Sequence, residues 1–568
     1  MEKNFALTPT VSISRSKFLR RSQHKTSIKL GEIVPIYVDE VLPGDTRSIS
    51  LSSLIRMSTP IAPIMDDIVM EFYAFFVPNR LVWDNWKQFM GESDTAGYDT
   101  NPEKIVPTDL VGDDPVICAA GSIADYMGLP PGTADFYGTY VNALPFRSYF
   151  AIYNRWFRNQ NVEAPIYYAT GDLGCDEDPY VVNGNSITDM GNLTPLVAYK
   201  KADYFTSCLP YAQKGTPVAL PLGTFAPVVT TNDPDKKVTI TASTPNLSFG
   251  NKTGDTWSDY TAFLGIASDN VTGGPGLYAG QETDSGQVLQ IGGQPSDGFV
   301  IPNNLIADLS KATAATINDS RLAFATQKAL EKDALYGTRY WEILYGHFGV
   351  KSPDASLQDP EYLGGQKVYI NVDQVLQTTG ATGSASSTLG TPGANSVTGS
   401  HTNLFTKSFV EHGTLMILAV ARQKSHTYGQ GINRMWLRSK RFDYYLPVFA
   451  NLGAQEVKSK ELACIDDADE NDVFGYQEAW AEYRYKPNIV SGLLNPARNN
   501  SLSYWTLADK FSSTPTLGKT FLKESRDNIA RALVTGVSGP DFICDFLFDD
   551  VAVRPMPLYS VPGLIDHH

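Results

Sequence analysis

Basic side chains are concentrated near the start of the chain. Arg15, Lys17, Arg20, Arg21 and Lys25 fall within eleven residues, with no acidic residue between them. Cations at this spacing could bind the phosphates of a nucleic acid, and five such contacts to a single strand would give a logarithmic salt slope of about −3.5. The same residues also fit an alternative, a basic strand that pairs with an acidic surface elsewhere, for example on a neighbouring subunit. They are therefore candidates for contact with DNA, and that alternative stays open.

Residue patterns that support catalysis are missing from the sequence. The seven histidines are scattered and form no H-E-x-x-H pair that could bind a metal ion. Gly518, Lys519 and Thr520 end like a phosphate-binding loop, but Ser513 stands where that motif needs its first glycine. Adjacent carboxylates, as in Asp549 and Asp550, point to opposite faces of a strand and make poor catalytic pairs. We expect no enzyme activity, no cofactor and no metal site.

Composition favours strands and long loops over helical bundles. The 568 residues are 42% hydrophobic and 19% charged, with 46 glycines and 35 prolines, and the formal net charge is −15. The first thirty residues carry seven Lys and Arg against Glu2 alone, a net of +6, so the remainder carries −21. The charge is therefore divided between a basic segment and an acidic body.

The sequence has no features of a secreted or membrane protein. Its five cysteines lie 33 or more residues apart, which favours reduced thiols made in a cytoplasm. No signal peptide is evident, and the longest apolar run, near residues 415–421, is far short of the ~18 residues that span a bilayer. We expect a soluble protein without membrane insertion.

Hydrophobic periodicity locates several elements. Residues 34–46 read as a strand closed by a Pro-Gly-Asp turn, and residues 68–78 as a strand that is apolar on both faces. Residues 319–335 have the spacing of an amphipathic helix, and residues 415–420 form a second apolar strand. In residues 481–486, tyrosines alternate with charged residues, which predicts a half-buried strand.

Changes in composition divide the chain into segments. Residues 225–300 hold eight acids against three lysines and are rich in Gly, Thr, Ser and Asn, which favours a surface insertion with some strands of its own. Residues 374–400 contain no charged residue and are mostly small and polar, the composition of a flexible loop. The chain is predicted to consist, in order, of a basic N-terminal arm 1–30, the first part of the main domain 31–224, the insertion 225–300, and a remainder 301–568 with loop 374–400 and an extended C-terminal tail.

Several motifs, in order along the chain, resemble the major capsid (F-type) proteins of the Microviridae, particularly the gokushovirus-like branch. These phages are small and tailless and carry circular single-stranded DNA. The matching segments are residues 14–27 (SRSKFLRRSQHKTS), 34–46 (VPIYVDEVLPGDT), 59–92, 153–161 (YNRWFRNQN), 209–215 (LPYAQKG), 337–354, 359–365 (DPEYLGG) and 474–488 (FGYQEAWAEYRYKPN). Only residues 225–300 and 374–400 lie outside the resemblance.

The resemblance implies a mainly β protein, an eight-stranded antiparallel viral jelly roll with long interstrand insertions and a few short helices. It also implies a T = 1 icosahedral shell of sixty copies around the genome, located in the virion and made in the cytoplasm of a bacterial host. The implied partners are other copies of the chain, packaged single-stranded DNA, the phage's small basic DNA-binding, pilot and internal scaffolding proteins, and a receptor on the host surface.

A protrusion for host attachment is also implied by the resemblance, and residues 225–300 are our candidate for it. The host-contact candidates within it are Asp255, Trp257, Tyr260, Asp269 and Tyr278. A β-rich carbohydrate-binding or glycosidase-like protein is the alternative, motivated by the aromatic and acidic residues. The missing signal peptide and the missing pair of catalytic carboxylates count against it.

Overall fold

The computed structural model describes residues 14–92, 105–112, 118–130, 139–218, 228–230, 249–253, 256–260, 277–282, 286–291, 300–302, 305–307, 317–336, 339–350, 358–378, 389–465 and 472–559. The chain divides into two compact units. One unit combines Met1–Lys214 with Glu331–His568, and the other is Gly215–Leu330. The predicted insertion 225–300 therefore falls inside the second unit.

The described residues are mainly strands. In chain order the strands are β1 (Ser16–Ile28), β2 (Ile33–Val41), β3 (Thr46–Met57), β4 (Ile68–Pro78), β5 (Thr108–Val111), β6 (Thr139–Asn142), β7 (Tyr180–Val182), β8 (Asn185–Ile187), β9 (Val228–Thr230), β10 (Phe249–Thr253), β11 (Thr256–Tyr260), β12 (Leu277–Glu282), β13 (Gly286–Ile291), β14 (Val300–Pro302), β15 (Leu305–Ala307), β16 (Glu361–Tyr369), β17 (Asp373–Leu376), β18 (Pro392–Asn395), β19 (Val397–Ser408), β20 (Gly413–Gln423), β21 (Thr427–Tyr428), β22 (Ala454–Lys458), β23 (Val473–Glu478), β24 (Asn488–Ile489) and β25 (Phe542–Arg554).

The helices are few and mostly short. The α-helices are α1 (Trp86–Phe89), α2 (Ile123–Tyr126), α3 (Leu144–Ile152), α4 (Ile317–Tyr336), α5 (Tyr340–Phe348), α6 (Ser459–Leu462), α7 (Ala481–Arg484), α8 (Lys519–Leu522) and α9 (Asp527–Ala530). A π-helical turn, Tyr153–Phe157, continues α3. Within the described ranges, no helix combines the length and hydropathy that crossing a membrane requires.

Two four-stranded antiparallel sheets form the centre of the first unit. The strand order is β1-β25-β3-β19 in the first sheet and β16-β4-β20-β2 in the second. The first sheet thus combines strands from the two ends of the described chain, because β25 lies between β1 and β3. Most of these strands are 9 to 13 residues long, longer than the usual five or six, which gives the two sheets a large area to bury.

The main core lies between these two sheets. On β3 the inward residues Ile49, Leu51 and Ile55 alternate with more exposed hydroxyl residues, so one face of the first sheet is buried. Phe72 of β4 meets Phe546 of β25 edge to face, with ring centroids 5.5 Å apart. Apolar side chains on the inward face of the first sheet and aromatic contacts between the two sheets therefore pack the sheets face to face.

The other face of the second sheet is covered as well. Phe75 and Val77 of β4 and Met416 and Leu418 of β20 pack against a second core that includes much of α3. This double coverage is why residues 68–78 and 415–420 are apolar on both faces, and both strand predictions are confirmed. The predicted turn after β2 is also confirmed, with Gly44 at φ 88°.

Two local predictions are wrong, one entirely and one in part. Residues 481–484 form the single-turn helix α7, because Trp480 adopts the left-handed conformation (φ 66°) and turns the chain away from β23. Tyr483 and Tyr485 are both exposed, so their alternation with charged residues marks no buried face. The ends of the predicted loop 374–400 lie in strands, because β17 pairs with β18 and β19 begins at Val397. A segment of small polar residues can still form strands, because main-chain hydrogen bonds need no large apolar side chains. Residues 379–388 lie outside the described residues.

The second unit contains short antiparallel strands. They pair as β11-β10-β14, β12-β13 and β15-β9. The long helix α4, Ile317–Tyr336, follows them, as the amphipathic spacing of residues 319–335 predicts. The described part of the predicted insertion therefore has strands of its own.

Candidate functional site

The basic candidates near the N-terminus lie on or beside an edge strand. All thirteen residues of β1 pair in continuous register with β25, from Ser16 opposite Arg554 to Ile28 opposite Phe542. The backbone is extended, as expected for residues 1–30, but from Ser16 onward it belongs to the first sheet rather than to a separate arm. Charged residues on an edge strand also discourage pairing with another chain.

Alternation along β1 divides the cations between two environments. Lys17, Arg21 and Lys25 point to the exposed outer face of the sheet, whereas Arg20 points inward towards β2. Arg15 is exposed just before the strand begins. Strand geometry thus assigns different surroundings to residues that are nearly adjacent in sequence.

Arg20 belongs to a partly buried ionic network between β1, β2, β3 and β25. Its Nη1 donates to Asp39 Oδ2 at 2.7 Å, and Asp550 lies 3.7 Å away. Arg47 is fully buried and donates to Asp550 Oδ1 through Nε at 2.9 Å, and to Asp39 Oδ2 through Nη2 at 2.7 Å. Tyr37 donates its hydroxyl to Asp550 at 3.1 Å. Arg20 thus neutralises carboxylates of its own subunit.

The pKa shifts in this network follow from its geometry. Burial alone would raise the pKa of Asp39, but the hydrogen bonds and charges of Arg20 and Arg47 outweigh burial and hold that pKa below its usual range. The hydrogen bond to Asp39 raises the pKa of Arg20. Both groups are therefore ionised at neutral pH, and the network ties the edge strand to its neighbours.

Lys17 and Lys25 remain available on the outer face of the first sheet. Within the described part of the chain, neither side chain takes part in an ion pair, and the same is true of Arg15. Arg21 is partly neutralised by Asp549, with Nε 2.5 Å from Oδ1. The structure thus divides the basic cluster between its two interpretations. Arg20 and Arg21 pair with acids of this chain, whereas Arg15, Lys17 and Lys25 remain candidates for contact with phosphates.

The host-contact candidates lie in the second unit. Trp257 and Tyr260 are on β11, and Tyr278 is on β12. Asp255 and Asp269 lie outside the described residues. β11 pairs with β10 and β12 pairs with β13, so the three described candidates are on two different strand pairs.

A second group of buried ionisable side chains surrounds His426. His426 is buried with Nδ1 3.5 Å from Asp509 and Nε2 3.4 Å from Glu524, and Lys200 Nζ lies 2.8 Å from Asp509. Burial opposes the charged imidazole, but these two carboxylates raise the pKa of His426 to about 9. In the described ranges, no group of three or more His, Cys, Asp and Glu residues is arranged to hold a metal ion.

Sequence reasoning missed the residues that complete these networks. Arg47 lies 8 residues from Asp39 but 503 residues from Asp550, and His426 lies 98 residues from Glu524. No local motif records such distances. The available signal is weak: a lone arginine at the inward register of a mostly apolar β3 face predicts a buried acidic partner.

The comparisons with known proteins agree along the whole chain. The family model described as "Capsid protein (F protein)" matches residues 6–564. The chain is 39% identical to capsid protein VP1 of Bdellovibrio phage phiMH2K over 571 residues, covering 99% of this chain and 98% of that protein. It is 38% identical to capsid protein VP1 of Chlamydia phage 1 over 606 residues, with 99% and 98% coverage, and 39% identical to capsid protein VP1 of Spiroplasma virus 4 over 574 residues, with 99% and 97%. The chain therefore belongs to the F-protein family of phage capsid proteins, of the Microviridae type.

Proposed function

We propose that this capsid protein assembles into a T = 1 icosahedral shell of sixty copies that encloses a circular single-stranded DNA genome. The observation that carries the proposal is the similarity to phage capsid proteins across 99% of the chain. The protein is structural and not an enzyme, and its place is the virion. The shell geometry, the DNA and the remaining partners are parts of the proposal.

The order of the strands supports a jelly roll as the building block. Each of the two four-stranded sheets takes strands from distant parts of the chain, and each is antiparallel throughout. In the second sheet the neighbours β4 and β20 are separated by more than 300 residues, which accommodates long insertions between strands. Eight strands in two sheets, with insertions between them, is the arrangement of viral jelly rolls.

The exposed cations support contact with packaged DNA. Arg15, Lys17 and Lys25 can each neutralise one phosphate, and Arg21 can do so in part. The outer face of the first sheet also presents hydroxyl groups, such as Ser48 and Thr406, which hydrogen-bond each other at 2.7 Å. Hydroxyls bind phosphate oxygens without reading sequence, so this face suits a genome of any sequence.

The second unit supports the proposed role in host attachment. Residues 225–300 carry a net charge of −5 and lie in a compact unit of their own. Long surface segments on a rigid scaffold commonly carry binding functions. The phage's small basic DNA-binding, pilot and internal scaffolding proteins, and synthesis in the bacterial cytoplasm, complete the proposal.

Sedimentation of the purified full-length protein tests the proposal. Sixty copies of a 62.2 kDa chain give a protein mass of about 3.7 MDa. We expect such a particle, with nuclease-protected single-stranded DNA inside when it is produced with the other phage proteins, and round shells in negatively stained images. A monomer that persists at high concentration with those proteins present would contradict the proposal.

A further inference from the structure

One segment of the first unit is ordered without contributing to any core. From Gly431 to Gly453 no residue is buried, although the structure describes every one of them. Three short 3₁₀ turns shape the segment: Arg434–Leu437, Arg441–Asp443 and Pro447–Phe449. Fixing a backbone in one conformation costs conformational entropy, which the burial of apolar side chains normally offsets. Since this segment buries none in the isolated subunit, a contact with another molecule would supply the missing burial.

The exposed side chains of this segment are large and apolar. Trp436 is 74% exposed, Phe442 64% and Val448 89%. Four further side chains, from α7 and the chain that follows it, are also more than half exposed: Tyr483, Tyr485, Ile489 and Leu493. We call residues 431–453, together with these four side chains, the aromatic surface.

Ring–ring and cation–ring contacts join several side chains of the aromatic surface. The Arg438 guanidinium lies over the rings of Tyr444 and Tyr483, 5.5 and 4.4 Å from their centroids. Tyr445 packs against Tyr483 at 6.2 Å and against Trp480 at 5.5 Å, and Trp480 Nε1 donates to the carbonyl of Phe449 at 2.8 Å. A cavity of about 360 Å³ opens beside Tyr483 and Tyr485.

The size of the aromatic surface suits a protein partner. Trp436, Phe442, Tyr444, Tyr483 and Tyr485 are each more than half exposed. Since such rings bury about 150–250 Å² each, they present on the order of 600 Å², close to the ~800 Å² that each partner buries in a stable interface. Exposed aliphatic side chains such as Val448 and Leu452 add to this area. Trp, Tyr, Met and Arg are also the residues enriched at interfaces.

The charge of the aromatic surface is positive. Residues 431–453 contain four Lys and Arg and a single acid, Asp443. Arg434 and Arg438 are paired with Glu461 and Glu482, but Lys440 and Arg441 form no ion pair within the described ranges. Two such surfaces facing each other across a twofold axis would place like charges together, which is unfavourable. A partner surface of opposite charge is required.

The same subunit carries an acidic surface of matching character. Between Arg158 and Lys200 the chain has no Lys, Arg or His and six acids, of which Asp176, Glu177 and Asp178 are consecutive. Tyr140 donates its hydroxyl to Asp176 at 3.1 Å, and Tyr167 donates to Asp178 at 2.9 Å. Tyr140, Tyr167, Leu173 and Val181 are exposed. We call residues 172–178 with Tyr140, Tyr167 and Val181 the acidic surface.

We infer that the aromatic surface of one copy of this chain packs on the acidic surface of a neighbouring copy. The inference rests on the proposed function, because it names the contact through which copies of the capsid protein join. Two different patches then meet at each contact, and such head-to-tail contacts form closed rings when the rotation from copy to copy divides a full turn. In an icosahedral shell, contacts around the threefold and fivefold axes are of this kind.

Charge reversal on each surface tests the inference. One full-length variant carries Lys440→Glu and Arg441→Glu, and a second carries Asp176→Lys and Glu177→Lys. Each alone should weaken self-association about tenfold or more, measured by sedimentation velocity, because like charges then face each other. Mixed in equal amounts, the two variants should recover part of this tenfold loss, since every contact between unlike copies is again complementary, although a ring of three or five copies keeps at least one contact between like copies.

The mixture also controls for folding, because misfolded variants could not restore association. The matched control reverses two exposed cations on α4, Arg321→Glu and Lys328→Glu, and should associate like wild type. Unchanged association of both test variants, or a mixture no stronger than its components, would overturn the inference. Unchanged association with less DNA in the particles would overturn it in favour of DNA on the aromatic surface. Complementary association that never yields DNA-filled shells would instead contradict the proposed function.

Discussion

At the scale of residues, several buried charges of the first unit occur in compensated groups. Arg47 lies between Asp39 and Asp550, and Glu71 is bonded to Arg422 and Lys201. Burial would raise the pKa of Glu71, but its cationic partners lower it to about 2. Removing one member of such a group leaves an uncompensated buried charge, which costs more than the intact group contributes. These residues therefore define which strands lie together.

His426 makes the stability of the subunit depend on pH. Its pKa is raised to about 9 in the fold, so the folded protein binds one more proton than the unfolded chain between about pH 6.5 and 9. The stabilisation is complete below pH 6.5 and is lost as the pH rises through 9. We expect the free energy of unfolding to fall by up to about 1.4 kcal/mol per pH unit in that window, on the order of 3 kcal/mol in total.

Urea unfolding of the subunit at several pH values measures this effect. His426→Gln should remove the slope between pH 6.5 and 9, although the variant is less stable at neutral pH because Asp509 and Glu524 lose a partner. His401→Gln is the matched control, since His401 is exposed and bonds only to Ser52 among the described residues. Equal slopes in wild type and His426→Gln would contradict the assignment.

At the scale of elements, β1 combines two tasks that the sequence places in one cluster. Its inward residues, such as Arg20 and His24, hold the edge strand against β2. Its outward residues, Lys17 and Lys25, leave cations on the surface. A period of two separates the structural from the available charges, so substitutions one residue apart should have different consequences.

Substituting the exposed cations on and beside β1 should affect DNA packaging, whereas substituting the inward Arg20 should affect the stability of the subunit. Arg15→Gln, Lys17→Gln and Lys25→Gln together should lower the DNA packaged per particle and leave the unfolding of the subunit unchanged. Arg20→Gln should instead cost about 1 kcal/mol of stability, because Asp39 loses a hydrogen-bonded partner that is partly exposed. Absorbance ratios of purified particles and urea unfolding measure the two effects.

Unchanged DNA content in the triple variant would contradict DNA contact by these cations. It would favour the alternative, in which the basic strand pairs with an acidic surface elsewhere. Neutralising all five cations, Arg21 included, should lower packaged DNA further than the triple variant does. Arg321→Gln is a suitable control, because Arg321 is an exposed cation on α4 and not on the first sheet. It should leave the stability of the subunit unchanged.

At the scale of the whole molecule, the chain consists of two compact units. The first unit includes both ends of the described chain and all eight strands of the two large sheets. The second unit, Gly215–Leu330, is continuous in sequence. Continuous insertions are tolerated well because closing a longer loop costs little additional entropy.

Replacing residues 225–300 with a short Gly-Ser linker should leave assembly intact and reduce attachment. We expect shells of normal appearance in negatively stained images, and fewer particles bound to host cells in an adsorption assay. A point variant, Trp257→Ala with Tyr260→Ala, preserves the insertion while removing two candidate contacts on β11. Loss of shells on deletion would make the insertion an element of subunit contact instead.

Much of the fold was predictable where a single element carries its own pattern. The two-faced apolar runs at β4 and β20 identified strands covered on both sides, and the helical spacing at α4 identified its longest helix. The pattern failed at residues 481–486, because the left-handed Trp480 redirects the chain before a strand can continue. The alternation of tyrosines and charged residues at 481–486 carries no information about the left-handed conformation of Trp480.

The candidate sites divide in the same way. The cluster from Arg15 to Lys25 was visible in the sequence, but which of its cations remain available was not, because that depends on Asp39 and Asp549 in other strands. The aromatic and acidic surfaces leave a sequence signal as well, one stretch with a single acid and one without bases. Only exposure distinguishes their rings from core residues, and exposure is a property of the packed chain.

The sequence by itself determined the family, the strand-rich character and the separation of charge between a basic start and an acidic remainder, because each of these is written in residue types and local spacing. The tertiary structure alone decided which strands are neighbours, which charges are neutralised and which apolar side chains stay in solvent. These depend on residues hundreds of positions apart, such as Arg47 and Asp550, which meet only because β25 returns to lie between β1 and β3. Hydrophobic burial brings those strands together, and no local pattern encodes the partner that each will find.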